Sequence, residues 1–327
     1  MDNLLTVSHL KKYFDVPAGQ LHAVDNVSFS IRQGETLGVV GESGCGKSTL
    51  GRVLLGLHKA TSGDIIFQGM DLSTFTKEEM IPVRREMQII FQDPYASLNP
   101  RFTVAQIIEE PLCLHKVCKT AEERRKKVED LMEMVGLPKR AYNLYPHEFD
   151  GGRRQRIVIA RALAINPKFV VCDEPVSALD VSVQAQILNL MIDLQKQLGL
   201  TYLFISHDLS VVKHISDNVV VMYLGQVIEK APKKALFQNP MHPYTIALLS
   251  AIPSVNVRER RQRIILRGEL ASPINPGEGC RFAKRCPFAR EECYTTTPEY
   301  REMEPEHFVA CHRAEEIIRG ELKYETQ

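Results

Sequence analysis

The chain predicts an α/β fold, with a mostly parallel sheet covered by helices, and three observations predict it. Short β-branched runs ("TLGVV", "KFVVCDE", "TYLFISH", "NVVVMYLGQVIE") recur through about the first 230 residues. Amphipathic stretches such as "KSTLGRVLLGL" and "AQILNLMIDLQKQ" separate them, and strands alternating with helical patterns pair in parallel through crossovers. The chain has 327 residues and 44% apolar content, enough for one large domain and a smaller one with cores of their own.

The run "GESGCGKST", residues 41–49, follows "TLGVV" and opens a helix with Leu50, Val53, Leu54 and Leu57 at helical spacing. In that context the spacing Gly41-x-x-x-x-Gly46-Lys47-Ser48 has a mechanism. Bare backbone N–H groups of Gly41, Glu42, Ser43, Gly44, Cys45 and Gly46 wrap phosphates, and the helix N-terminus adds partial positive charge. Lys47 reaches the β/γ oxygens, and Ser48, followed by Thr49, ligates Mg²⁺. Cys45 is read as a small filler rather than a redox group. Hydrolysis also needs a metal-anchoring carboxylate at a strand end and a base for water. "FVVCDEP" supplies Asp173 for Mg²⁺ and Glu174 for the base.

Between residues 93 and 161 the β-branched runs disappear. Charged helical patterns replace them, as in "AEERRKKVEDLMEMVGL", where Val128, Leu131, Met132 and Val135 share a face. A helical subdomain inserted in the sheet domain is expected there. Near Leu236 the texture shifts to "LFQNPMHPYTIALLSAIPS", an arginine-rich connection over residues 258–267, and a cysteine-bearing tail. The predicted organisation is therefore an ATPase domain over residues 1–235 and a C-terminal extension over residues 236–327.

Charges nearly cancel, 41 basic against 40 acidic residues, so no whole-molecule field draws the chain to nucleic acid or anionic lipid. The arginine-rich connection lacks interleaved aromatics and is read as solvated or subunit-facing. The longest apolar runs, such as "VVVMYL", fall far short of the roughly 18 residues of a membrane span. The first residues show no signal-peptide pattern. A cytosolic chain with reduced thiols is expected.

In order and spacing these segments resemble the nucleotide-binding subunit of an ATP-binding cassette (ABC) transporter, over nearly the whole chain. The resemblance implies a P-loop ABC-type nucleotide-binding domain with an inserted helical subdomain. "FQDPYASLNP" resembles the family's Q-loop, implying that Gln92 senses the γ-phosphate and Mg²⁺. "SALD" resembles the D-loop, with Asp180 at a dimer seam, and "LFISHD" resembles the switch strand, with His207 on the γ-phosphate. In "LKKYF", Phe14, or less favourably Tyr13, matches the aromatic that stacks on adenine. "FDGGRRQR" stands at the family's signature, usually Leu-Ser-Gly-Gly-Gln. Gly151 and Gly152 are kept, while Asp150 replaces the serine and Arg153 the glutamine. An ionised Asp cannot donate to a phosphate, although it is a favoured N-cap for the helix that follows.

The tail is similar to the C-terminal extension of the importers of oligopeptides, dipeptides and nickel. Cys280, Cys286, Cys293 and Cys311 form its small Cys-rich portion, which in that class is associated with a [4Fe–4S] cluster. Four thiolates also suit structural zinc, which stays open, although zinc favours paired knuckles that this spacing lacks. His307 and His312 flank the last cysteine and are read as solvated or supporting. The implied function is ATP hydrolysis coupled to peptide uptake at the cytoplasmic face of the cell membrane. The implied partners are a second ATPase subunit, two permeases and an external substrate-binding protein, with no nucleic acid. A nickel or small-solute importer, and a soluble ABC-type ATPase acting on nucleic acid, are the alternatives.

Overall fold

The computed structural model describes residues 3–252, 264–266, 268, 272–322 and 324. All five arginines of the connection over residues 258–267 lie outside the described residues. The strands run β1 (Asn3–Val16), β2 (Gly19–Arg32), β3 (Thr36–Val40), β4 (Ser62–Phe67), β5 (Met70–Asp71), β6 (Met87–Ile90), β7 (Phe169–Asp173), β8 (Thr201–Ile205), β9 (Asn218–Tyr223), β10 (Gln226–Pro232), β11 (Tyr300–Glu304) and β12 (His307–Ala310). The chain divides into two compact units, one of residues 32–36 and 74–206, the other of residues 3–31, 37–73 and 207–327.

In the first unit β6, β7 and β8 pair in parallel, with Ile90 opposite Cys172 and Asp173 opposite Ile205. Every residue of β7 and β8 is buried, the continuous apolar reading of a parallel sheet covered on both faces. As expected, helices fill the stretch after residue 93: Pro94–Ser97, Val104–Leu114, Ala121–Met134 and Gly151–Leu163. Reciprocal capping boxes, Thr103 with Gln106 and Thr120 with Glu123, satisfy the free N–H groups that start the second and third. Val128, Leu131, Met132 and Val135 are all buried. The helix Val181–Leu198 stops at Gly199, in the left-handed conformation (φ 66°) that a C-terminal glycine adopts without Cβ strain.

In the second unit β2, β1, β4 and β5 form a four-stranded sheet in that order, antiparallel at β1–β4 and β4–β5. β3 runs parallel to β9, which turns back through Leu224 and Gly225 into β10; β12 adds antiparallel to β10, and β11 antiparallel to β12. The expectation of a mostly parallel sheet therefore holds for β3 and β6–β9 and fails elsewhere. Two-residue connections such as Leu224-Gly225 can join only antiparallel neighbours, and "NVVVMYLGQVIE" is two strands rather than one. The helix after the glycine loop also ends earlier than its apolar spacing suggested. It spans Lys47–Leu54, and Leu57 lies beyond it, 47% exposed. No helix among the described residues is long and apolar enough to cross a membrane.

Glu229 on β10 is fully buried, and its carboxylate accepts from three donors: the N–H of Met241 (2.7 Å), the N–H of His242 (3.0 Å) and Nε2 of His307 (2.8 Å). It joins β10, β12 and the start of the helix Pro243–Ser250. His307 is thus a buried partner of Glu229, which overturns the solvated half of its reading as solvated or supporting. Removing one member of a buried hydrogen-bonded cluster strands the other members' polar atoms. Glu229→Ala should cost about 3 kcal/mol of stability in denaturant unfolding; a loss below about 1 kcal/mol would show that water replaces the carboxylate freely.

Candidate functional site

Residues 41–46 turn tightly between β3 and the helix Lys47–Leu54. Gly41 has φ +154°, and a Cβ there would lie 2.2 Å from the Met222 carbonyl oxygen and 2.7 Å from Cys45 Sγ. At Gly46, φ +105°, a Cβ would meet the Ala23 carbonyl oxygen at 2.0 Å. Both positions require glycine because neighbouring backbone occupies the space. The Gly225 N–H donates to the Cys45 carbonyl (2.8 Å), and the Asp25 N–H donates to the Gly225 carbonyl (2.8 Å), fastening the loop to its surroundings.

Lys47 is buried, with Nζ donating to the carbonyls of Gly41 (2.8 Å) and Glu42 (2.9 Å). A cation held among loop carbonyls at a helix N-terminus supplies the fixed positive charge that a phosphate cradle requires. Ser43 and Gly44 are exposed, and Ser48 and Thr49 stand half-buried in the first helical turn. Cys45 is buried, and burial raises its thiol pKa, in keeping with a filler rather than a redox group. Glu42 carries contacts that its sequence does not announce. Its N–H donates to the Tyr244 hydroxyl (2.9 Å), and its carboxylate takes both terminal nitrogens of Arg285, at 2.8 and 3.1 Å.

In the first unit, Asp173 ends β7, 4% exposed. Glu174 follows with φ +50°, a left-handed conformation uncommon outside glycine and often found at functional positions. Its N–H donates to the Ile205 carbonyl (3.0 Å), which holds the turn to β8. Gln92, 82 positions away, donates from Nε2 to Glu174 Oε2 at 3.0 Å, so the fold brings these two together. Asp150, Gly151 and Gly152 start the helix Gly151–Leu163. One Asp150 oxygen accepts the Arg153 N–H (2.8 Å), and the other lies 3.5 Å from the Arg153 guanidinium. The N-cap reading of Asp150 holds. Asp180 precedes the helix Val181–Leu198 and makes no side-chain cap.

In the second unit, His207 is exposed just ahead of the helix Leu209–Ile215. Of the two candidate aromatics, Tyr13 is already engaged, stacked on His22 (centroids 3.8 Å apart) with its hydroxyl donating to Asp25. Phe14 is half-buried, meeting His58 edge-on at 5.6 Å with Lys12 Nζ 4.5 Å from its ring centroid.

Cys280, Cys286, Cys293 and Cys311 line a single cavity, with Phe282, Phe288 and His312 among its walls. All four are free thiols. The Cys280 N–H donates to the Cys293 carbonyl (2.8 Å), and the Arg313 N–H lies 3.4 Å from Cys311 Sγ. Burial pushes the Cys286 and Cys311 thiols up to about 12 and raises Cys280 as well. As they stand, no group of three or more His, Cys, Asp or Glu among the described residues is arranged to hold a metal ion.

A glycine-shaped cradle opening a helix, with an Asp–Glu pair closing a buried parallel strand, defines a P-loop nucleotide hydrolase. The comparisons narrow the class. Residues 24–177 match the ABC transporter family, and residues 228–293 match the C-terminal region of oligopeptide/dipeptide transporters. The oligopeptide transport ATP-binding protein AppF of Bacillus subtilis (strain 168) is 54% identical over 321 residues, 95% of this chain and 97% of that one. OppF of the same strain is 51% identical over 316 residues, 96% and 98% of the two chains. Among solved structures, the dimeric ATP-binding cassette MJ0796, bound to ADP and Pi after hydrolysis, superposes with a TM-score of 0.65. It is 28% identical and covers 70% of this chain and 98% of its own. The chain belongs to the ABC transporter family as an ATP-binding subunit with a C-terminal region of the oligopeptide/dipeptide type, and it is an ATPase.

Because the cradle is shaped by backbone contact, Gly41→Ala should weaken ATP binding by at least about tenfold, as the new methyl forces the loop off Met222. Equilibrium binding of a fluorescent ATP analogue checks this, and affinity equal to wild type would mean the loop relaxes around the methyl.

Proposed function

We propose that this chain hydrolyses ATP to drive a peptide importer. It works peripherally at the cytoplasmic face of a membrane, beside a second ATP-binding subunit, two permeases and an external binding protein. The observation that carries this reading is the presence in one chain of the glycine-shaped loop and a C-terminal region matching oligopeptide/dipeptide transporters. Relatives named as oligopeptide transport ATP-binding proteins support it at 51–54% identity over nearly the full chain. In this reading residues 1–235 are the ATPase domain, the helices over residues 93–161 face the permeases, and residues 236–327 are the Cys-rich extension.

Phe14 stacks on adenine, leaving Tyr13 to its contacts with His22 and Asp25. Backbone N–H groups of the loop and the first helical turn and the Lys47 ammonium bind the phosphates; the Glu42 and Cys45 N–H groups, expected in that set, are instead engaged by the Tyr244 hydroxyl and the Glu42 carbonyl. Mg²⁺, when bound, would supply charge neutralisation on the phosphates. Ser48, Asp173 and Gln92 are the residues that would hold it. Glu174 takes the proton of the attacking water, oriented by the 3.0 Å bond from Gln92, and His207 donates to the γ-phosphate. Gly151 and Gly152 present the signature helix to the nucleotide of the second subunit. Asp150 already accepts the Arg153 N–H and has no proton to donate, so the ATP facing this chain's signature turns over slowly. A partner subunit with an ordinary signature gives the ATP on this chain's own loop the faster site.

In the assembled complex Glu174→Gln should keep ATP binding and lower total turnover by about 10²- to 10⁴-fold, because the site left intact is the slow one. Residual turnover above about a tenth of wild type would place the base elsewhere or show Asp150 to be harmless.

The four thiols around one cavity are proposed to hold a [4Fe–4S] cluster, with zinc the alternative. The four cysteines that line one cavity are the residues that would hold it, matching in number the four thiolates such a cluster takes. Protein purified without oxygen should contain iron and acid-labile sulfide, and Cys286→Ser should lower both. Stoichiometric zinc without sulfide would remove the cluster.

A further inference from the structure

The loop between the first two cysteines, residues 280–286, delivers an arginine to each side of the phosphate loop's surroundings. Its own hydrogen bonds make it a compact turn: Ala283 N–H to Cys280 O, Arg285 N–H to Phe282 O and Cys286 N–H to Ala283 O, at 3.0, 2.9 and 3.3 Å. Phe282, which lines the four-cysteine cavity, packs on Tyr223 and Tyr244 with ring centroids 5.3 and 5.5 Å apart. Tyr244 in turn accepts the Glu42 N–H, and Arg285, its side chain 10% exposed, grips both oxygens of the Glu42 carboxylate. Arg281 pairs with Asp25 and donates to the Leu224 carbonyl. Asp25 also takes the Tyr13 hydroxyl, and its N–H reaches the Gly225 carbonyl beside Cys45.

Glu42 is the one acidic residue of the loop "GESGCGKST". A carboxylate there opposes the charge of the ligand the loop is built to hold. Arg285 cancels it in a two-pronged geometry that fixes direction as well as charge.

We propose that Arg285 is a positioning residue for the phosphate loop, neutralising and holding Glu42, and that the four-cysteine centre is thereby read out as affinity for ATP. The Arg285–Glu42 part is independent of what the thiols hold; the readout part rests on the four-thiol reading above. Arg285 touches no reacting atom, so its loss acts on KM for ATP and leaves kcat largely in place.

The test measures equilibrium binding of a fluorescent ATP analogue to the purified full-length chain, and KM and kcat in the assembled complex. Arg285→Gln should weaken binding about five- to twentyfold and raise KM in step, the range expected when a charged hydrogen-bonded pair acts at one remove. Adding Glu42→Gln to that variant should restore affinity to within about threefold of wild type, because the unpaired charge is gone. Loss of packing on Tyr223 alone would not be rescued this way. Where Arg285→Gln does not fold, Arg285→Lys keeps the charge without the second prong and should fall between the two. Affinity within about twofold of wild type for both variants, or no recovery with Glu42→Gln, would overturn the proposal. Cys286→Ser should weaken ATP binding in the same direction without adding to Arg285→Gln, and additive losses would overturn the readout. Iron and sulfide assayed in the same wild-type preparation separate the two readings: the Arg285 pattern in an iron-free protein would sink the cluster and leave the positioning role standing.

Discussion

The phosphate loop is shaped by what presses on it. The Met222 and Ala23 carbonyl oxygens lie where side chains at Gly41 and Gly46 would go, and the Gly225 N–H is bonded to the loop's Cys45 carbonyl. These contacts come from β2, from β9 and from the β9–β10 turn, so the cradle exists only once those elements have assembled. Backbone so closely fitted cannot reorganise cheaply. That rigidity confines Lys47 among the Gly41 and Glu42 carbonyls.

The C-terminal segment enters the same unit through a buried carboxylate and an aromatic cluster. Glu229 serves Met241, His242 and His307 at once, which registers β12 against β10 and sets the direction of the helix Pro243–Ser250. With that helix in place, Tyr244 stands against the phosphate loop, and Phe282 completes an aromatic cluster with Tyr223. Phe282, which lines the cysteine cavity, thus packs on Tyr244, which accepts a hydrogen bond from the nucleotide loop. That chain of contacts is the route through which the segment is proposed to act on ATP binding.

In the first unit, chemistry is concentrated where a buried strand ends. β7 is fully buried, and its last residue, Asp173, is followed by a left-handed Glu174 tied by its N–H to β8 and by its carboxylate to Gln92. The cost of that backbone conformation, of order 1–3 kcal/mol, is offset by these bonds. The helices of residues 94–163 owe their starts to local caps, Thr103, Thr120 and Asp150. Asp150 satisfies local helix chemistry by accepting the Arg153 N–H.

Local chemistry alone determined the strands β3 and β7–β9, the helices of residues 94–163, the glycine loop and the Asp173–Glu174 pair. Apolar periodicity, caps and glycine spacing are properties of neighbouring residues and can be read along the chain. The antiparallel strands β1, β2, β4, β11 and β12 were not legible, because their pairing depends on turns and on partners distant in sequence. His307 looked solvated for the same reason: its partner Glu229 is 78 positions away. The four cysteines could be grouped by their spacing, but only folding shows that they line one cavity with Phe282 between them and the nucleotide loop. The Gln92–Glu174 and Arg285–Glu42 contacts, 82 and 243 positions apart, belong wholly to the tertiary structure. Ion pairs and hydrogen bonds between distant residues leave no periodic trace, and only the folded chain decides which charges meet.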